Sequence, residues 1–342
     1  MNVRLLAFTA LPAICIALLL AGQPVSGQAV QPVAKTAPAK AWTPARTADG
    51  KPDLQGVWSN NTVTPFVRPK NLGSKEFYTE AEVAANAKKE RERLDLNVEE
   101  GLPTKPGTAA DVHYDFSEYG LDRGQSKLVW NARTSIIVGP EGVIPPLTPA
   151  ARDRAASRAA KAKGHEFDGP ENRPLGARCL TRENVGPPLL PTAYNSNLQI
   201  VQGAGYVVIE AEMIHNARVI PTDGRPHISP QLRQWLGDSV GHWEGNTLVI
   251  DTTNYTNLSP FAGAENLHVV ERLSRTGEDS ILYQFTVEDP GMWTQPWSGE
   301  LVMSKLNEQM YEYACHEANY GLMNTLRGAR VADEEAAKKA AK

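Results

Sequence analysis

Asp238-Ser-Val-Gly-His-Trp-Glu-Gly-Asn-Thr-Leu-Val-Ile250 decides the fold. Gly245-Asn246 is a pair that tolerates positive φ, and it sits between two runs rich in β-branched and aromatic residues. The stretch therefore predicts a two-residue hairpin joining strands at 240–244 and 247–252. The same pattern continues outward in both directions. Residues 197–201 and 206–210 flank Gln202-Gly-Ala-Gly205, and 215–220 follows; downstream come 267–274, 281–287, 297–304 and 310–315. Short strands with hairpin-length connections predict an antiparallel barrel or sandwich. The absence of a fixed-period repeat argues against a propeller.

Upstream, order begins at Asp53-Leu-Gln-Gly-Val-Trp58, read as the first strand. Thr79-Glu-Ala-Glu82 is a capping box that opens a helix reaching to Leu96. Thr148 caps a second helix, with Pro149 at its first position and Gly164 as its stop. Both are Ala-rich and charged, with thin apolar stripes, so both belong on the outside. Between them, 125–138 alternates enough for one or two strands before the turn Gly139-Pro-Glu-Gly142. The expected organisation is a flexible Ala/Pro/Lys/Thr-rich leader over 30–50 and a single β domain over 51–330 with a helical and loop insertion at about 60–195. A charged tail over 331–342 follows, as a solvated helix or disordered.

At the start of the 342-residue chain, Arg4 precedes an apolar run over 5–21, and the small residues Ser26-Gly-Gln-Ala29 follow. This reads as a secretory signal peptide cut after Ala29, which predicts a periplasmic or secreted protein with no membrane anchor after cleavage. A retained anchor is the weaker reading, because Pro12 breaks the run and no basic stop-transfer flank follows. Acidic side chains (39) outnumber basic ones (35), which excludes a nucleic-acid footprint. Beyond the leader, Cys179 and Cys315 remain and are expected to form one disulfide in an oxidising compartment. The alternative is a reactive or metal-binding thiol next to His316.

Gly56-Val57-Trp58 resembles the Gly-X-Trp motif that begins lipocalin barrels, in which the Trp plugs the closed end, and the Trp-Glu-Gly-Asn hairpin looks like those of calycin barrels. The resemblance implies a mainly β, antiparallel, calycin-like (lipocalin-like) barrel with peripheral helices. Over nearly the whole mature chain, a further set of motifs is similar to a large family of exported, functionally uncharacterised proteins of environmental bacteria. They are Asp49-Gly-Lys-Pro-Asp-Leu-Gln-Gly-Val-Trp58, Ile144-Pro-Pro-Leu-Thr-Pro149, Gly169-Pro-Glu-Asn-Arg-Pro174, Arg178-Cys-Leu180, Arg218-Val-Ile-Pro-Thr-Asp-Gly-Arg-Pro-His227, Trp235-Leu-Gly-Asp-Ser239 and Tyr313-Ala-Cys-His-Glu317. That likeness implies export and the domain limits and leaves the chemistry open.

The densest polar segment is Met213-Ile-His-Asn-Ala-Arg-Val-Ile-Pro-Thr-Asp-Gly-Arg-Pro-His227. Strand alternation puts His215 with Ala217 and Val219 on one side and Arg218 with Asn216 and Ile220 on the other. His268 and Arg272 share a face, and Glu271 points the opposite way. Both His-bearing faces are expected to look into the barrel, with His215 and His268 transferring protons and Arg218 and Arg272 holding an anion. Asp223, Arg225 and His227 sit in a turn suited to a barrel mouth, and they join Trp243 and Glu312 as candidate ligand contacts. The plain competing readings are hydrogen-bonded histidines on a solvated sheet, turn chemistry for Asp223-Gly224-Arg225-Pro226, and ordinary core for Trp235, Trp243, Trp293 and Trp297. A zinc site from His215, His227, His242 and His268 matches no compact motif, so no metal is expected. Glycine-rich phosphate loops and nucleophile elbows are absent, so no cofactor is expected either. The function expected is binding of a small hydrophobic or aromatic molecule, with cofactor-independent acid/base chemistry of the isomerase, lyase or hydratase type. The alternative is a non-catalytic carrier; a barrel filled with large side chains would instead suggest an interaction module. Nothing in the chain sets an oligomeric state.

Overall fold

The computed structural model describes residues 42–96, 131–139, 141–192, 195–259, 264–317 and 319–341, without the side chains of 90–96 and 183. The expected signal peptide, the leader up to residue 41 and the segment 125–130 lie outside the described residues. Nine strands form one sheet: β1 (Gly56–Ser59), β2 (Asn197–Gly203), β3 (Tyr206–Ala211), β4 (Asn216–Pro221), β5 (Asp238–Glu244), β6 (Thr247–Thr253), β7 (His268–Gly277), β8 (Ser280–Glu288) and β9 (Trp297–Leu306). Their order is β4-β3-β2-β1-β9-β8-β7-β6-β5, and every neighbouring pair is antiparallel. The end strands β4 and β5 come side by side without a shared ladder, giving a nearly closed barrel. Gly241 allows that approach: a Cβ there would lie 3.0 Å from a methyl of Ile220 and 3.2 Å from the methyl of Thr222.

Tight hairpins join β2 to β3 and β5 to β6, where the sequence placed them. β4 starts one residue later than expected, because Ile214 (φ 63°) and His215 (φ 44°) are in the left-handed region and form a turn ahead of the strand. Residues 310–315 form no strand; the disulfide from Cys315 to Cys179 fixes this segment instead. Among the described residues, 131–138 also falls short of a strand. Its backbone donates in turn to separate partners, Ile136 to Pro65, Ile137 to Phe66 and Val138 to Ser298, so only isolated bridges form. Residues 42–50, read as leader, include an Arg46–Pro52 bridge and a hydrogen bond from Arg46 to Asn246 (3.0 Å).

The helices are peripheral, as the resemblance implied. α1 (Glu80–Leu96) opens on the predicted capping box: Thr79 N–H donates to Glu82 (2.8 Å) and Glu82 N–H to Thr79 Oγ1 (3.3 Å). The hydrogen bond from Lys75, with those from Thr79, lowers the Glu82 carboxyl to about 2. α2 (Pro149–Ala162) is capped by Thr148, which accepts from Ala151 N–H (3.1 Å), and it buries only Ala151. α3 (Tyr320–Ala340) begins well before the expected tail and buries no residue.

Alternation fills the lumen. Trp58, Leu198, Ile200, Ile209, Ile220, Leu248, Ile250, Val269, Leu273, Ile281, Tyr283 and Met303 are all at most 1% exposed. Each fully buried large side chain of this kind contributes roughly 1.5–3 kcal/mol. Trp58 seals one end: its Nε1 donates to Leu54 O (2.9 Å), and the Arg275 guanidinium lies 5.0 Å from its ring centroid while donating to Asp53 O (2.8 Å). Phe285 lies against Gly299 so closely that a Cβ there would stand 2.4 Å from the ring. Gly299→Val should therefore destabilise the fold by about 1–3 kcal/mol in urea denaturation, through overpacking against a buried ring. Unchanged stability would mean that the Phe285 ring has room to move.

Candidate functional site

Two polar assemblies stand out, one inside the barrel and one on its outer wall. Inside, Arg218 projects from β4 and Glu271 from β7, and they meet across the lumen in a bidentate pair: Nη1 to Oε2 at 2.8 Å and Nη2 to Oε1 at 3.0 Å. Tyr283 on β8 donates to Glu271 Oε1 (2.7 Å) and accepts from Leu189 N–H (2.8 Å). All three side chains are buried. Burial opposes the charged guanidinium, but the Glu271 charge and its hydrogen bonds outweigh that and hold Arg218 above its ordinary value. Burial, and then the Glu271 charge, push the Tyr283 and Tyr255 hydroxyls well above the ordinary tyrosine range.

On the outer wall, at the end where β5 and β7 begin and β6 and β8 finish, the Asp251 carboxylate stands between two imidazoles. Its Oδ1 is 3.0 Å from His227 Nε2 and its Oδ2 is 2.8 Å from His268 Nε2. His227 Nδ1 is 2.8 Å from Asp238 Oδ2, which also accepts from Ile228 N–H (3.1 Å). Both nitrogens of His227 are thus engaged by carboxylates. His268 Nδ1 has no hydrogen-bond partner among the described residues; the nearest carboxylate oxygen, on Glu288, is 3.9 Å away. The His268 side chain is 36% exposed, so the ring is partly open to solvent. In the tautomer whose Nε2–H donates to Asp251, Nδ1 is the ring nitrogen left without a hydrogen-bond partner among the described residues.

The elements explain the placement. Asp238, Asp251 and His268 lie on adjacent strands in outward-facing positions, each next to a lumen-facing residue. His227 arrives on the loop before β5, which is held to the loop after β6. Asn254 Nδ2 donates to Ile228 O (3.0 Å), Gln234 N–H to Asn254 O (2.9 Å) and Thr256 N–H to Gln234 O (2.8 Å). These two loops also carry the exposed apolar residues Ile228, Leu232, Trp235 and Leu258.

The expected convergence of histidines and arginines in the lumen does not occur. His215 is exposed in the turn before β4, and Ala217 and Val219 beyond it face outward. His268 and Arg272 face outward and Glu271 inward, the reverse of the expected β7 orientation; Arg272 pairs with Glu244 (2.7 Å). Of the four proton-transfer and anion-holding candidates, Arg218 alone enters the lumen, and Glu271 occupies it. Asp223 and Arg225 form an exposed ion pair (2.6 Å), and Arg225 also donates to Tyr206 (2.7 Å). Trp243 is half-buried against the core, while Glu312 is exposed in the segment leading to Cys315. His242 pairs with Glu244 (3.2 Å). Among the described residues no group of three or more His, Cys, Asp or Glu is arranged to hold a metal ion. Asp238, Asp251, Glu271 and Tyr283 were not among the sequence candidates. Asp251 could have been found, because β6 is otherwise apolar or Thr and a carboxylate there needs a partner.

No family model matches the chain, and no curated protein matches it.

The hydrogen bonds from Arg225 lower the Asp223 carboxyl to about 2. Arg225→Ala should return it towards its ordinary ~3.9, read by NMR titration of the carboxyl carbon. In the parent protein the stabilisation from this pair is present above the unfolded value and is lost as pH falls through about 2. An unshifted Asp223 in the parent protein would show that the pair does not persist in solution.

Proposed function

We propose that the protein receives a small hydrophobic or aromatic molecule at the barrel end that carries His227, Asp251 and His268, and moves a proton on it without a cofactor. The observation that carries this reading is Asp251 held between two imidazoles with His268 Nδ1 left open. His268 would take the proton at Nδ1 while Asp251 holds Nε2–H, and His227, fixed by Asp238, would keep Asp251 in place. Ile228, Leu232, Trp235 and Leu258 supply the apolar surface beside it. Isomerisation, elimination and hydration all need a positioned base of this kind.

A second reading, binding without turnover, is favoured by His227: with both ring nitrogens engaged, it clasps the loop to β5 and β6. The filled lumen also suits an interaction module, in which Leu232 and Leu258 (each 59% exposed) would meet a partner. Export, and membership of the exported family resembled by the sequence motifs, belong to the same proposal. They are supported by the apolar run over 5–21 and by the Cys179–Cys315 disulfide, which persists in oxidising compartments. Among the described residues no helix is long and apolar enough to cross a membrane.

The test follows deuterium uptake from D2O into a panel of aryl ketones and cyclic enones by NMR, alongside the Trp235 share of the fluorescence, taken as the difference between the parent and Trp235→Phe, on adding 1-naphthol. Protein-dependent exchange should fall by about 10²-fold or more in His268→Gln at unchanged Tm. Equal exchange in parent and variant overturns the role of His268. Quenching of Trp235 with no exchange on any probe supports the carrier reading, and neither signal removes small-molecule binding at this end.

A further inference from the structure

On the outer wall, two hydrogen-bond acceptors face each other across a gap. His268 and Glu288 are direct partners in the β7–β8 ladder, at the barrel end that carries Asp251. His268 Nδ1 and Glu288 Oε2 stand 3.9 Å apart, too far for a hydrogen bond. In the tautomer whose Nε2–H donates to Asp251, Nδ1 carries a lone pair. The Glu288 side chain is 55% exposed, and among the described residues no lysine or arginine pairs with it. No lysine occurs between Lys163 and Lys305. The arginines of neighbouring elements are turned elsewhere: Arg233 to Tyr255 O and Glu265 O, Arg154 to Gly291 O (2.7 Å), and Arg272 to Glu244 (2.7 Å).

We propose that this gap holds the ammonium group of a hydrophobic amine. The inference rests on the reading that a small apolar molecule binds at this end, with or without turnover. A nitrogen set about 2.8–2.9 Å from both acceptors sees them about 90° apart, close to the tetrahedral spread of ammonium N–H bonds. A primary ammonium has three donors, as the lysine head group does, and serves both acceptors at once. A hydroxyl has one donor and leaves one acceptor unmet; a carboxylate or ketone oxygen brings none. The Glu288 charge makes its hydrogen bond to a cation shorter and stronger than a neutral one. The apolar body has Ile228 to lie against, which follows His227 in the loop that meets Asp251, and Leu258 on the adjoining loop. An amine so seated covers Nδ1 and therefore competes with any carbon acid for that nitrogen.

The test titrates the full chain calorimetrically with 2-phenylethylamine, 2-phenylethanol and 3-phenylpropanoate, which share a phenyl arm and differ in their end group. At about pH 7 the amine is charged as a lysine is. It should bind about tenfold tighter than the alcohol, with the acid weakest. That lead should shrink between about 0.05 and 0.5 M salt. Glu288→Gln should bring the amine to within about twofold of the alcohol, and Glu288→Lys should put the acid first. The His268 ring signals, assigned by their absence in His268→Gln, should shift as the amine binds. Binding of the amine no tighter than the alcohol overturns the proposal, as does a lead that survives Glu288→Gln or an amine that leaves the His268 signals unmoved. Exchange on the ketone panel that is lost in His268→Gln, with no amine preference, strikes this inference alone. A clear amine preference with no exchange on any probe supports it and strikes proton transfer alone.

Discussion

The salt bridge between Arg218 and Glu271 is the interaction on which the rest of the structure depends. It ties β4, an edge strand with no hydrogen-bonded neighbour on its open side, to β7 across the lumen. Only packing, made close by Gly241, joins β4 to β5 directly. In a medium without water, an Arg or Glu alone would be strongly destabilising, so each charge requires the other. Tyr283 adds a third element by holding Glu271 and accepting from the Leu189 backbone, which anchors the loop beneath the barrel.

That arrangement also determines where chemistry can occur. Arg218 and Glu271 are spent on one another and on Tyr283, in a lumen that also buries Trp58 and Leu248 completely. The outer wall carries the complementary situation: partly exposed carboxylates and imidazoles, one ring nitrogen open, and apolar loops at hand. A group that exchanges protons with a ligand needs access as well as a partner, and His268 has both. Loops held by a rigid barrel are the usual place for such groups.

Much of the fold was legible because hairpins declare themselves locally. Gly245-Asn246 and Gly203-Ala-Gly205 marked turns that the structure contains, and Thr79/Glu82 and Thr148/Pro149 marked helix starts that it also contains. Residues 310–315 have strand-like composition, yet their place is set by a disulfide to a segment 136 residues away, which no local pattern encodes. The site was only half legible. His227 and His268 were recognised as unusual, but face assignment needs the sign of the alternation, and polar density alone gives the wrong sign. The hydrophobic set of β7, Val269 and Leu273, shares its face with Glu271, so following the apolar residues rather than the histidines would have placed Glu271 inside. The pairing of Glu271 with Arg218 is long-range and has no sequence spacing to announce it.

A double-mutant cycle on Arg218→Met and Glu271→Leu, followed by urea denaturation, most directly tests whether the lumen is organised around this pair. Each single change should cost about 3–5 kcal/mol by leaving a buried charge alone, and the double variant should recover much of that loss. Single costs below about 1 kcal/mol that simply add in the double variant would contradict it, and would mean that the barrel holds its shape without charges meeting in its centre.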